Sequence, residues 1–284
     1  MVFPLRLLLH YKAVRAAVVI GMRMIRDYEE NGYLVLKGLF RESELHKLRQ
    51  VITQFHQSWK LENAQFYAHK AINSAYLTTK KHLKNAERES LFKFIGSAKL
   101  MEVVTSIIGG RPAFMNTQLF FDPMNEGQRS SWHRDPQYHM TIDEQKQALH
   151  GPKVVHFRIP LVDEPGVELI PGTHRRWDSD DELEVRLEKN GRKNHEDLTT
   201  GVKVKLNSGD ILVFSANMIH RGVYGMNRMS LDILFCDPDP ELMNFVDDSC
   251  LPDSDMLERL ENPNAFKNSI DIKTNIKSMH ATSA

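Results

Sequence analysis

At Gly109-Gly110-Arg111-Pro112 the texture of the chain changes, and that change limits what it can fold into. Two glycines followed by a proline form a strong helix stop. Upstream, apolar residues recur at helical spacing. Leu45, Leu48, Val51, Ile52, Phe55 and Trp59 fall on one face and predict an amphipathic helix from about Ser43 to Trp59. A second helical zone runs from about Ala86 to Ile108. Ahead of both, "GYLVLKGLF" reads as a short strand bounded by Gly32 and Gly38.

Downstream the pattern is that of strands. In "AFMNTQLFFD", alternation assigns Phe114, Asn116, Gln118 and Phe120 to one face and Met115, Thr117, Leu119 and Phe121 to the other. "KVVHFRIPLVD", "ILVFSA" and "RMSLDILFC" are further strands. In "VKVKL", Val202, Val204 and Leu206 are expected inward, with Lys203 and Lys205 outward; "NSGD" is the turn that follows. Short strands joined by turns, after a helical N-terminal third, predict a mainly β fold of two sheets buttressed by helices. Residues 178–200, "DSDDELEVRLEKNGRKNHEDLTT", read as a solvated surface excursion. The stretch 247–284 reads as a peripheral tail. Residues 25–246 are then one domain.

Charge narrows the partners. Lys+Arg and Asp+Glu both number 37, so no global field draws in nucleic acid or anionic lipid, and a small molecule becomes the default ligand. Two cysteines, Cys236 and Cys250, make no disulfide framework and suit a reducing, cytoplasmic setting. Residues 1–24 form a basic extension whose apolar runs are broken by Arg6, Lys12 and Arg15. Such runs fall short of the ~20 apolar residues of a membrane span. A helix docked on the protein's own core is preferred there over one lying on a membrane. The oligomeric state is not legible.

The chemistry centres on "SSWHRDPQYH". With 13 His and 18 Asp in the chain, shuffling alone gives on the order of one His-x-Asp, so the motif by itself decides nothing. A second copy, His195-Glu196-Asp197, sits in the charged excursion and reads as solvated loop. His133-Arg134-Asp135 instead follows a strand and a polar turn. On extended backbone, side chains two apart project to the same side. An imidazole and a carboxylate together suit a first-row metal, and His220, in "SGDILVFSANMIHRG", is the candidate third ligand. Two histidines and one acid leave half of an octahedron open. Arg228, with Ser230 on the same strand face, can fork onto a carboxylate. Asn116 and Gln118 either line the same pocket or serve the core. Trp132 reads as packing with an indole N–H able to donate. His139, His150 and His156 read as wall or surface residues, His156 sharing a strand face with Arg158. His174, in "PGTHRR", reads as a loop-stabilising residue.

The order "WHRD", "GVELIPGTHR", "SGDILVFSANMIHRG", "RMS" resembles the phytanoyl-CoA dioxygenase-like group of Fe(II)/2-oxoglutarate-dependent oxygenases. "YEENGYLVLKGLFRESELHKL" resembles that group's opening segment, and the resemblance runs from about Ile25 to Asp237. Two departures stand out. Pro165 occupies a position in "DEPGVEL" where the group often has Asn, and Gln137–Pro152 has no clear counterpart. The resemblance implies a double-stranded β-helix, or jelly roll, in which His133, Asp135 and His220 hold Fe(II). Arg228, helped by Ser230, would bind the distal carboxylate of 2-oxoglutarate, with Asn116 and Gln118 in the same pocket. It implies a dioxygenase that uses O2 and 2-oxoglutarate, releases succinate and CO2, and hydroxylates an unactivated C–H of a small organic molecule. Asp135 favours hydroxylation or desaturation over halogenation, since related halogenases lack that carboxylate. A non-catalytic metal-binding or sensing protein of the same fold, and a zinc hydrolase, are the competing readings. Neither explains an arginine–serine anchor.

Overall fold

A computed structural model of the protein describes residues 24–282. The helix expected within the basic N-terminal extension lies outside the described residues. Helical residues 24–31 (α1) lead into strand β1 (Tyr33–Leu36). There follow α2 (Glu42–Glu62), α3 (Ala64–His69), β2 (Asn73–Ala75), α4 (Asn85–Ile95), α5 (Ala98–Ile108) and β3 (Ala113–Phe121). The β-rich part continues with α6 (Ile142–Ala148), β4 (Val154–Pro160), β5 (Glu164–Leu169), α7 (Asp180–Arg186), β6 (Val202–Leu206), β7 (Ile211–Ser215), β8 (His220–Gly222) and β9 (Met229–Cys236). Two helices, α8 (Ser254–Glu258) and α9 (Asn264–Thr282), close the chain. Among the described residues no helix is long and apolar enough to cross a membrane.

All strand pairs are antiparallel and form two sheets, β1-β7-β4-β9-β3-β2 and β6-β5-β8. Their inner faces meet where Val167, Leu169 and Leu206 of the small sheet pack on Leu212 and Phe214 of the large one. The outer face of the large sheet carries Leu119, Phe157, Leu231, Ile233 and Phe235, against which the helices lay Leu45, Phe55, Phe92 and Phe266. This is the expected mainly β, helix-buttressed double-stranded β-helix. The stripe of α2 is buried as its spacing predicts: Leu45, Leu48, Val51, Ile52, Phe55 and Trp59.

Five details depart from the pattern reading. The helical zone of residues 86–108 is two helices, broken at Gly96, where an added Cβ would meet the Asn262 carbonyl at 3.0 Å. In β3 a bulge between Phe114 and Asn116 turns Phe114 to the outer face, beside Phe235 and Phe266. One extra residue reverses the alternation, so Phe114 does not share a face with Asn116 and Gln118. Val202 is 41% exposed because β6 is the edge strand of the small sheet and nothing covers its first residue.

Residues 178–200 are a solvated excursion only in part: His195 and Asp197 are exposed as expected, but several side chains turn inward. Val185 and Leu198 join Trp132, Ile170 and Ile219 in a small core. Asp178 accepts from Arg134 at 2.9 Å and from Arg186 at 2.8 Å, with all three side chains buried. Charged letters signal solvent there, and many of them are exposed, yet the side chains of Asp178, Glu182 and Arg186 are buried and paired. The segment expected as a peripheral tail is anchored too. Phe266 is fully buried, and Ser269 Oγ donates to the Phe114 carbonyl at 2.7 Å. Cys236 and Cys250 are buried free thiols, their pKa values pushed by burial to about 12 and about 11.

Candidate metal centre

Along the inner face of the large sheet the apolar character fails at one end. Strand register sets Gln118, Asp232, Arg158 and Leu212 in one row, and His156 and Phe214 beside it. Across from this row, the segment at His133 pairs with the start of β8. His133 and His220 stand directly opposite each other, exchanging N–H···O bonds of 3.0 and 2.9 Å. Their rings lie 4.2 Å apart. The residues between and beside the ligands hold the segment down. Trp132 is buried, its indole N–H donating to the Glu196 carbonyl at 2.8 Å. Arg134 points the other way and donates to the Thr173, Arg176 and Asn217 carbonyls. Beyond it, Asp135 opens a single 3-10 turn and its N–H reaches the Ala216 carbonyl at 3.1 Å.

Both histidines use the same device. Nδ1 of His133 lies 2.8 Å from the Ser131 carbonyl, and Nδ1 of His220 lies 3.0 Å from that of Met218. A carbonyl only accepts, so each Nδ1 carries the hydrogen and each Nε2 is left with its lone pair. The two lone pairs face Asp135: Oδ1 is 3.6 Å from both Nε2 atoms. All three ligand atoms lie within 4.8 Å of one another. Metal–ligand bonds of ~2.1 Å span up to ~4.2 Å across one ion. The donor set therefore fits a first-row divalent cation after minor side-chain adjustment. Burial, reinforced by His133, pushes the His220 pKa down to about 3, and burial lowers that of His133. Both rings are thus neutral, as metal ligands must be. Burial alone would raise the Asp135 pKa. The surrounding histidines, His156 foremost with its charge and hydrogen bond, outweigh it and hold the carboxyl below its ordinary range.

The other oxygen of Asp135 is already engaged: His156 Nε2 sits 2.6 Å from Oδ2. His156 Nδ1 contacts Asp232 Oδ2 at 3.0 Å, and that same oxygen accepts from Arg158 Nε and Nη2 at 3.2 and 2.7 Å. Burial would lower the His156 pKa, but the two carboxylates raise it to about 9.

Arg228, just before β9, is buried beside Glu164 of β5, with Nε 3.5 Å from Oε2. Its Nε and Nη2 have no hydrogen-bond partner, and neither has Glu164 Oε1. A buried guanidinium with unpartnered donors is costly and fits a carboxylate acceptor. Gly222 makes room for it, since a Cβ there would meet Arg228 Nη1 at 2.7 Å. Ser230 lies on the expected face, but its hydroxyl donates to Glu164 Oε2 at 2.6 Å. Ser230 and Arg228 thus meet the same acid from neighbouring positions on one strand edge.

The remaining candidates divide. Gln118 stands opposite Asp232 on the inner row. Asn116 Oδ1 accepts from the Thr117 N–H at 2.7 Å. His174 reaches the Glu29 carbonyl at 3.2 Å, in keeping with a loop role, and His139 lies against Phe245. Asp197 pairs with Arg221 on the other side of β8. Pattern reasoning missed Glu164 and Asp232. One signal existed for the latter: an aspartate inside the otherwise apolar strand "LDILFC" is costly unless paired.

The family model described as phytanoyl-CoA dioxygenase (PhyH) matches residues 28–223, which include all three candidate ligands and stop short of Arg228. No curated protein matches the sequence. Among solved structures, AviO1 from Streptomyces viridochromogenes Tue57 is 16% identical with a TM-score of 0.54, covering 76% of this chain and 95% of that one. Apo EctD from S. alaskensis is 14% identical with a TM-score of 0.55, covering 76% of each chain. The nickel complex of the non-heme monooxygenase ThoJ is 16% identical with a TM-score of 0.51, covering 76% of this chain and 77% of that one. EctD has also been solved with bound Fe, and with 2-oxoglutarate and 5-hydroxyectoine. At such identities the likeness carries the fold.

Proposed function

The chain belongs to the phytanoyl-CoA dioxygenase family, and from that premise we propose that it is an Fe(II)- and 2-oxoglutarate-dependent dioxygenase that hydroxylates a C–H bond of a small organic molecule. His133 Nε2, Asp135 Oδ1 and His220 Nε2 hold the iron. Arg228 receives the distal carboxylate of 2-oxoglutarate through its two unpartnered donors. Bound iron, with O2 and 2-oxoglutarate, supplies the oxidising power for C–H cleavage and releases succinate and CO2. The protein's own part is orientation. The Ser131 and Met218 carbonyls fix both imidazole tautomers. Three protein ligands on one side leave the opposite coordination positions for cosubstrates. Retention of Asp135 as a ligand favours hydroxylation over halogenation. Residues 25–246 form the oxygenase unit, and two buried free thiols accord with a cytoplasmic setting.

The observation that carries this reading is the coincidence of two sites. Two neutral imidazoles and one carboxylate form a donor set in the same fold that buries an arginine with donors to spare. A zinc hydrolase has use for the first and none for the second. The test is anaerobic loading with Fe(II), then admission of O2 and 2-oxoglutarate with a panel of candidate substrates. Succinate should form in the wild type and not in Asp135→Ala. Fully iron-loaded protein that makes no succinate with any of them, or Asp135→Ala that makes it at the wild-type rate, sinks the assignment.

A further inference from the structure

We propose that His156 is a positioning residue for the metal-binding carboxylate: it holds Asp135 Oδ2 so that Oδ1 alone faces the cation. The inference rests on the metal reading above and goes beyond it to a residue outside the expected ligand set. Asp135 sits on a short 3-10 turn after a long loop, so its backbone is less constrained than a strand. Left alone, its carboxylate could rotate or offer both oxygens to one ion. The 2.6 Å contact to His156 removes that freedom and leaves Oδ1 3.6 Å from each histidine Nε2.

His156 can do this because it is itself fixed from two further sides. Its ring stacks on Phe214, with centroids 4.4 Å apart and planes 9° apart. Asp232 engages Nδ1. Asp232 is in turn held by two nitrogens of Arg158, whose guanidinium lies 4.0 Å above the Phe120 ring. His156 and Arg158 belong to β4, Asp232 to β9, and Arg158 and Asp232 are register partners. The chain Arg158–Asp232–His156–Asp135 thus transmits the rigidity of two central strands to a ligand carried by a loop. Sites borne on sheet strands are held more tightly than sites on loops. Outer partners of metal ligands typically contribute 10–100-fold in affinity.

Cobalt(II) is the probe, because it resists oxidation in air and its visible absorption reports coordination geometry. The full-length protein should bind Co(II); if it binds none, the metal reading itself fails. Given wild-type binding, His156→Phe keeps the stack on Phe214 but cannot donate. It should weaken Co(II) affinity by ~10–100-fold and change the absorption band. His156→Gln retains one donor toward Asp135 and should restore most of the affinity and the wild-type spectrum. Wild-type affinity and spectrum in His156→Phe would overturn the proposal. So would His156→Gln behaving as badly as His156→Phe, since only ring shape would then matter. Should His156→Phe fail to fold, Asp232→Asn decides: an altered Co(II) spectrum upholds the proposal and an unaltered one overturns it.

Discussion

Replacing Arg228 by methionine tests the cosubstrate site most directly. Methionine keeps the length and apolar stem but has no donor. In the wild type, two buried donors of Arg228 lack a hydrogen-bond partner, and the acid facing its guanidinium, Glu164, is 3.5 Å away and already accepts from the Ser230 hydroxyl. A hydrogen bond to a charged group contributes ~1.5–3 kcal/mol. Two such bonds to a carboxylate give ~3–6 kcal/mol, and every ~1.4 kcal/mol is a factor of ten in affinity. Arg228→Met should therefore weaken 2-oxoglutarate by at least ~100-fold. Arg228→Lys, a point charge without the fork, should fall between methionine and wild type. Metal affinity should stay within about threefold, because the effects of sites that share no partner are nearly independent. The assay is anaerobic calorimetric titration of 2-oxoglutarate into Fe(II)-loaded protein, with metal binding measured separately. Adding Glu164→Gln to the methionine variant should recover part of the loss by removing a facing acid. If Arg228→Met binds 2-oxoglutarate within fivefold of wild type, the cosubstrate lies elsewhere and the reasoning fails.

Two further outcomes follow from the packing. His56 is buried, with Nδ1 unpartnered, and burial pushes its pKa from 6.5 to about 4. The unfolded chain thus takes up a proton that the folded one refuses, so stability falls as pH drops below about 6.5 and levels off near 4. At pH 5 the cost is up to ~2 kcal/mol, and urea unfolding at pH 7.5 and pH 5 should find a smaller loss in His56→Phe; equal losses count against it. Phe266 is fully buried under the large sheet, edge-on to Phe92 and against Phe114. Phe266→Ala should cost ~3–5 kcal/mol, and a change below ~1 kcal/mol in urea unfolding would mean that α9 is dispensable to the core.

The particular residues explain why some features were legible and others were not. The α2 stripe and most of the strand alternation were readable because one face of each element meets a core, and burial imposes a period. Phe114 was misassigned because a bulge leaves no mark in the letters. The inward part of the segment 178–200 is illegible for a related reason. Composition cannot distinguish an aspartate in water from Asp178, which is locked between Arg134 and Arg186. The letters around His156 suggest a wall residue, since nothing in its own neighbourhood announces Asp135 and Asp232, 21 and 76 residues away.

By itself, the sequence determined the sheet-and-helix character of the molecule and named the two histidines and the aspartate of the candidate centre. Period and residue chemistry are local properties, carried by each stretch wherever it ends up. Only the tertiary structure decided which oxygen of Asp135 is engaged by His156, which acid faces Arg228, and which group Ser230 bonds. Those are facts about distance and direction between segments far apart in the chain, and they exist only once two sheets have closed on each other.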